Sequence, residues 1–257
     1  MRADLALVER GLCASRAQAQ ALIEAGKVFV RFGSQPAQAV RKASQAIEAF
    51  NTLEVQNPDP VFVSRGGIKL AGALEHIGLK VEGFRCADFG QSTGGFTDCL
   101  LQRGAKSVVG FDVGKEQLHP TLRAKPEVLA FEGVNLKDLD CTLWMSKLNQ
   151  EHRDWMPLDL AVADLSFISL KRVLPSLAPF LNSSKLGLFL VKPQFELGPE
   201  YLGKNGLVKT PEKWVDKLQT EVSATCLEVG LQVESFFPCT IQGGDGNQEY
   251  FVLVRKQ

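Results

Sequence analysis

The chain has 257 residues, 45% of them hydrophobic and 23% charged, which is ordinary for a soluble globular protein and long enough for one large domain plus a small one. Formal net charge is zero, so bulk charge points to neither nucleic acid nor membrane as a partner. The six cysteines (Cys13, Cys86, Cys99, Cys141, Cys226, Cys239) lack the close pairing of a zinc site and read as reduced thiols of a cytosolic protein. The N-terminus shows no apolar signal region, and the longest apolar uncharged run, 173–184, is short and broken by Pro175 and Pro179. The expectation is a cytoplasmic protein with no membrane association.

Residues 1 to about 50 read as a small α+β unit. Leu5, Leu7, Val8 and Leu12 form a short helical stripe. Ser15 is placed to cap a second helix with Gln18 three positions on, Ala17, Ala21, Leu22 and Ala25 give that helix a small-residue face, and Gly26 closes it. Val28–Val30 and Ala46–Glu48 read as short strands. Asn57-Pro58-Asp59-Pro60 cannot be helical, so 51–60 reads as a linker and the domains as 1–60 and 61–257.

From residue 61 the pattern alternates strand and helix. Strands are expected at 85–89, 107–112, 128–132, 158–163, 186–191, 232–237 and 249–255, with a helix over 95–103 that Gly104 ends. The alternation implies a parallel, doubly wound sheet. Only a Gly-rich loop at 243–246 separates the last two strands, so they should form a hairpin and make the final strand antiparallel. Seven strands with that ending fit a class I methyltransferase fold better than a dinucleotide-binding one.

In such sheets ligands bind beyond the carboxyl ends of the strands. The first strand ends in Asp88-Phe89-Gly90-Gln91-Ser92-Thr93-Gly94-Gly95-Phe96-Thr97, a Gly-rich turn running into a helix. It lacks the G-x-G-x-x-G spacing and the Gly-Lys-Ser/Thr of a P-loop. Asp112 ends the next strand, where a carboxylate can accept from ribose hydroxyls. Asp164 and Lys192 end two further apolar runs, where a lone charge is costly, and adjacent strands could bring them together. Glu249 opens the antiparallel strand at the same edge, and Lys69 lies early in the helix before the sheet. Two lysines and two acids beside a nucleotide pocket suit methyl transfer to a weakly acidic hydroxyl. A desolvated lysine can act as a base, and no metal is needed.

The segments Ser64-Arg65-Gly66-Gly67-Ile68-Lys69-Leu70, 88–97, 162–170, Val191-Lys192-Pro193-Gln194-Phe195-Glu196 and Gly246-Asn247-Gln248-Glu249 together resemble the TlyA (haemolysin A) family over nearly the whole chain. Its members resemble FtsJ-type ribose 2′-O-methyltransferases preceded by an S4 RNA-binding domain. The resemblance implies that Lys69, Asp164, Lys192 and Glu249 form a catalytic tetrad. It implies S-adenosylmethionine as cofactor, with Asp88, Gly90, Ser92, Thr93, Gly94, Gly95, Phe96, Asp112 and Asn135 as its contacts. It implies ribosomal RNA or ribosomal subunits as partner, cytidine ribose as acceptor, and a monomer or weak dimer.

Arg2, Arg10, Arg16, Lys27 and Arg65 are the expected RNA contacts, and Lys171, Arg172, Lys204 and Lys209 further candidates for phosphate. Against this, residues 1–62 hold seven Lys/Arg and six Asp/Glu, without the basic footprint usual for RNA binding, and Arg31-Phe32-Gly33-Ser34 departs from the Asn-Gly turn usual in S4 domains. A packing module on the N-terminal side, a non-catalytic ribosome-assembly factor and an RNA base methyltransferase stay open as alternatives.

Overall fold

Met1–Val61 forms one unit of the chain and Phe62–Gln257 another. In this computed structural model the described residues are 1–13, 15–33, 35–55, 62–151, 155, 157–181 and 186–256. The first unit opens with α1 (Ala3–Glu9) and α2 (Arg16–Glu24). Ser15 caps α2 by accepting from the Gln18 N–H at 3.3 Å, and Gly26 follows its end with φ 69°. The buried faces differ from the expected stripes. In α1, Ala3, Ala6 and Leu7 are buried while Leu5 is exposed; α2 buries Ala19, Leu22 and Ile23 and leaves Ala17, Ala21 and Ala25 outside. Covering Leu22 and Ile23 removes more apolar area from water than covering a row of alanines, and that sets the rotation of the helix.

β1 (Val28–Arg31) lies between β2 (Gln38–Ala39) and β3 (Thr52–Val55), antiparallel to both. Ala46–Glu48 is not a strand. It makes a single bridge, Ala46 to Arg2, while Ile47 is buried and its N–H bonds the Met1 carbonyl. Thr52–Val55, expected as linker, pairs with β1 because its alternation turns Leu53 into the core. Asn57–Pro60 and Ser34 lie outside the described residues.

The second unit runs α3 (Arg65–His76), β4 (Arg85–Phe89), α4 (Gly95–Gln102), β5 (Ser107–Asp112), α5 (Pro120–Arg123), β6 (Val128–Glu132), α6 (Cys141–Glu151), β7 (Leu160–Ala163), α7 (Leu170–Leu177), β8 (Leu186–Val191), α8 (Pro193–Glu196), α9 (Val215–Glu228), β9 (Leu231–Pro238) and β10 (Tyr250–Lys256). Its sheet has the order β6-β5-β4-β7-β8-β10-β9. The strands from β4 to β8 pair in parallel, and β10 enters antiparallel between β8 and β9, as the loop-only connection requires. The inner strands are buried on both faces, which is why they read as unbroken apolar runs. One apolar cluster joins Phe89, Phe111 and Phe189 to α7 and α9, and another joins Cys86, Val162 and Phe251 to α3 and α4. Alternate residues of each strand serve alternate clusters, so helices cover both faces. This is the doubly wound arrangement expected from the sequence. Strand limits agree with expectation to within one or two residues, β7 starting at Leu160 and β10 at Tyr250.

A buried carboxyl locks β4 to α4. Asp88 is 1% exposed and its Oδ2 accepts from the Thr97 N–H at 3.0 Å and the Thr97 hydroxyl at 2.7 Å. Gln91 Nε2 donates to Thr97 Oγ1 at 2.9 Å, and Gln91 occupies the space a Cβ on Gly110 would need, 2.1 Å away. Burial pushes the Asp88 carboxyl up to about 7 against the Thr97 bonds, which favour the charged form. The folded state therefore keeps this proton where the unfolded chain has lost it. Stability from Asp88 is fully present below about pH 4 and falls as pH rises toward 7. Asp88→Asn keeps an acceptor for Thr97 and cannot ionise. Urea unfolding of both proteins between pH 4 and 7.5 should show the unsubstituted chain losing stability relative to Asp88→Asn as pH rises. A constant difference across that range would refute the assignment.

Candidate active site

Two ion pairs stand at the carboxyl edge of the sheet. Lys192 follows β8 and Asp164 follows β7, and Lys192 Nζ lies 2.6 Å from Asp164 Oδ1. The same ammonium donates to Ser166 Oγ at 2.8 Å. Lys69, in the second turn of α3, lies with its Nζ 2.6 Å from Glu249 Oε2. Tyr250 pairs with Val191, so the next step of that register sets Glu249 beside Lys192. All four residues thus belong to one edge. Lys69 is 7% exposed and Glu249 2%, neither the surface helix lysine nor the solvated hairpin residue that each resembles when read alone. Asp164 keeps 21% of its side chain open, so this pair meets solvent more than the other.

A cleft opens beside the Lys192–Asp164 pair, lined by Ser64, Gly66, Gly90–Thr93, Gly95, Phe96, Asp164, Ser166 and Lys192. Gly90, Ser92, Thr93, Gly95 and Phe96, expected as cofactor contacts, line it. Its glycines act in two ways. A Cβ on Gly90 would lie 2.6 Å from the Asp164 carbonyl oxygen, one on Gly95 2.2 Å from Ser64 Oγ, and one on Gly94 2.4 Å from Leu122 Cδ1. These three let the chain approach itself. Gly66 is different: a Cβ there would lie 3.4 Å from Ser64 Oγ, 3.5 Å from Phe96 and 3.6 Å from Asp164, ordinary contact distances among residues that line the cleft. The cleft wall carries no side chain at this point.

Asp112 lies outside the cleft lining. Its Oδ2 accepts from the Ser92 N–H at 2.8 Å and its Oδ1 from the Gly114 N–H at 2.6 Å, which pins the Gly-rich turn to the end of β5. Two accepted bonds leave acceptor capacity on each oxygen. Asp88 is buried beneath the turn and Gly94 beneath α5, so neither lines the cleft. Asn135 does not line it either: its amide caps a local turn, accepting from Lys137 N–H at 3.1 Å and donating to Asp138 at 2.6 Å. Ser64, Gly66, Gln91 and Ser166 line the cleft without having been singled out, although all lie inside the quoted motifs. Phe167, after Ser166, holds φ 64° and is 92% exposed, with its ring 5.5 Å from that of Phe195.

The expected RNA contacts are partly committed to the fold. Arg2 and Arg16 both bind Asp4, at 3.0 and 3.1 Å, and Gln20 adds a third donor at 3.0 Å. Hydrogen bonds from Arg2 and then Gln20 hold the Asp4 carboxyl well below the usual carboxylate range. Arg10 donates to the backbone carbonyls of Asn51 and Glu48. In the second unit Arg65 donates to the Gln242 carbonyl at 3.0 Å, and Lys171 to Glu221 at 2.7 Å. Lys27 and Arg172 lie on the first unit's β1 approach and on α7.

Comparison with known proteins shows the family. Residues 62–256 match the FtsJ-like methyltransferase family, and residues 1–30, spanning α1, α2 and most of β1, match the S4 domain. A 16S/23S rRNA (cytidine-2′-O)-methyltransferase, TlyA, of Mycobacterium tuberculosis is 40% identical over 256 residues, covering 100% of this chain and 90% of that protein. A protein of Brachyspira hyodysenteriae named Hemolysin A is 34% identical, covering 97% of this chain and 98% of its own length. A solved structure of a hemolysin-named protein from Streptococcus thermophilus superposes with a TM-score of 0.70 at 34% identity, over 100% of this chain and 88% of that one. With the FtsJ-like match spanning the whole sheet and every residue of the two ion pairs, this chain belongs to the FtsJ-like methyltransferase family and carries an S4 domain at its N-terminal side.

Proposed function

We propose that this protein transfers the methyl group of S-adenosylmethionine to a ribose 2′-hydroxyl of ribosomal RNA, with cytidine as the modified nucleotide. The observation that carries the reading is the Lys192–Asp164 pair, open to a glycine-walled cleft, in a member of a methyltransferase family. The residues present fit the cofactor. Gly66 leaves the wall bare, Ser92, Thr93 and Phe96 border the space, and Asp112 keeps acceptor positions for ribose hydroxyls. When bound, S-adenosylmethionine supplies a methyl carbon on a cationic sulfur, a leaving group that departs as a neutral thioether.

Lys192 Nζ, once its ammonium has given up a proton to solvent, would take the proton of the 2′-hydroxyl, whose oxygen would receive the methyl group that bound S-adenosylmethionine would supply. Asp164 and Ser166 hold the amine at the cleft wall. Lys69 and Glu249, outside the cleft lining, hold the acceptor strand edge and position the hydroxyl. Alignment of oxygen, carbon and sulfur is the main contribution such a site makes. Phe167 offers an exposed ring to an unstacked base next to this edge. The S4 unit brings RNA to the enzyme in the cytoplasm, where ribosomal RNA is assembled.

Lys192→Ala should lower kcat by about 10²–10⁴-fold, with a far smaller change in the cofactor Kd. The assay is labelled methyl transfer to ribosomal subunits from a host lacking this protein, with nucleoside analysis to separate ribose from base methylation. Full turnover by Lys192→Ala removes lysine as the base, and a methylated base in the product removes the ribose reading. Asp112→Ala should raise the calorimetric Kd for S-adenosylmethionine by about tenfold or more, the worth of a charge-assisted hydrogen bond. Unchanged affinity takes Asp112 out of the cofactor site.

A further inference from the structure

Two chain segments carry the groups around Lys192. One runs from Asp164 to Leu170 between β7 and α7 and holds Asp164 and Ser166. The other runs from Lys192 to Glu196 and holds Lys192 itself. They are joined by three cross-links in order. At the cleft end Lys192 Nζ meets Asp164 at 2.6 Å and Ser166 at 2.8 Å. In the middle the rings of Phe195 and Phe167 lie 5.5 Å apart. At the far end the Glu196 carboxylate accepts from Ser169 Oγ at 2.6 Å and from the Leu170 N–H at 2.5 Å.

The far cross-link is built for rigidity. Glu196 is 8% exposed, so its two bonds form away from competing water. The Leu170 N–H is the first donor of α7, and a carboxylate at that end also suits the helix dipole. Lys171 reaches back to the Glu196 carbonyl at 3.3 Å and on to Glu221 of α9 at 2.7 Å, tying the junction to a third element. The near cross-link alone joins the segments through a flexible lysine stem. The middle one is an exposed ring contact at a residue with φ 64°. Without Glu196 the far end of the Asp164–Leu170 segment would lose both of its hydrogen bonds to the other segment's carboxylate.

We propose that Glu196 is a positioning residue for methyl transfer: its bonds to Ser169 and Leu170 fix the register of the two segments, and so the direction of the Lys192 amine. This rests on Lys192 being the base. Glu196 lies outside the cleft lining, so its removal should act on turnover rather than on cofactor binding.

Glu196→Ala should lower kcat by about ten- to a hundredfold, the scale of a misplacement near 1 Å, with the cofactor Kd and the RNA KM within about twofold. Glu196→Gln should restore kcat to within about threefold, because its carbonyl accepts from Leu170 and its amide donates to a Ser169 hydroxyl that can turn round. The assay is labelled methyl transfer from S-adenosylmethionine to ribosomal subunits of a host lacking this protein, run beside Lys192→Ala. If Lys192→Ala is inactive while Glu196→Ala keeps full kcat, the positioning role is wrong and the base reading stands. If Lys192→Ala still methylates, both fall. Equal losses in kcat, cofactor affinity and RNA KM for Glu196→Ala, with no recovery in Glu196→Gln, mean a general packing role and overturn the proposal. Should Glu196→Ala not fold, Ser169→Ala decides: a kcat loss of about threefold or more at unchanged cofactor Kd supports the role, and unchanged kcat overturns it.

Discussion

Lys192 and Asp164 end strands that are buried along their length, and neither charge could remain there alone. Taking one ion out of water costs several kcal/mol after relaxation, and only a partner at contact distance offsets it. That partner exists because β7 and β8 are neighbours and parallel, so their ends fall on the same edge. Ala163 is level with Phe189, which puts Lys192 two residues beyond the level of Asp164, a gap the long lysine side chain spans. The antiparallel β10 then adds Glu249 beside Lys192 without any crossover helix in the way. A single change of strand order would separate the charges and leave each one buried and unpaired. The sheet topology and the site are therefore one constraint: the fold is the arrangement in which these charges can be kept.

The Gly-rich turn shows how the same edge accommodates a ligand. Most of its glycines serve contacts within the chain. Gly90 lies against the backbone of Asp164, Gly95 against Ser64, and Gly94 against α5. These contacts draw the end of β4, the start of α3 and the segment after β7 into one wall. Asp112 fixes the turn from above through Ser92 and Gly114, and Asp88 fixes it from below through Thr97. The carboxylates that read as ligand contacts in the sequence hold the turn first. A preorganised wall of this kind loses little conformational entropy when a ligand arrives.

The second unit was legible because its signals are local and redundant. Each inner strand is an unbroken apolar run closed by a polar residue, and Gly104 marks the end of α4 as plainly as Ser15 marks the start of α2. The polar residues at strand ends pointed to one edge for the same reason. The first unit was less legible because its strands are short and its core small. A two-residue strand such as Gln38–Ala39 has no period to detect, and Ile47 is buried by a turn rather than by a strand. Asn135, named through the family resemblance alone, uses its amide in a local turn. Glu196 gave no signal because its partners, Ser169 and Leu170, lie 27 and 26 residues away, and only the folded junction brings them together.

The near-neutral first unit acquires a physical sense from its ion pairs. Seven lysines and arginines face six acids over residues 1–62. Arg2 and Arg16 share Asp4, and Arg31 pairs with Glu54 at 2.8 Å. The field these cations project outward is reduced, so few phosphates would be neutralised and little counterion release would drive binding. A unit of this kind has little electrostatic drive toward RNA, so whatever contact it makes must rest on shape and hydrogen bonding rather than on charge.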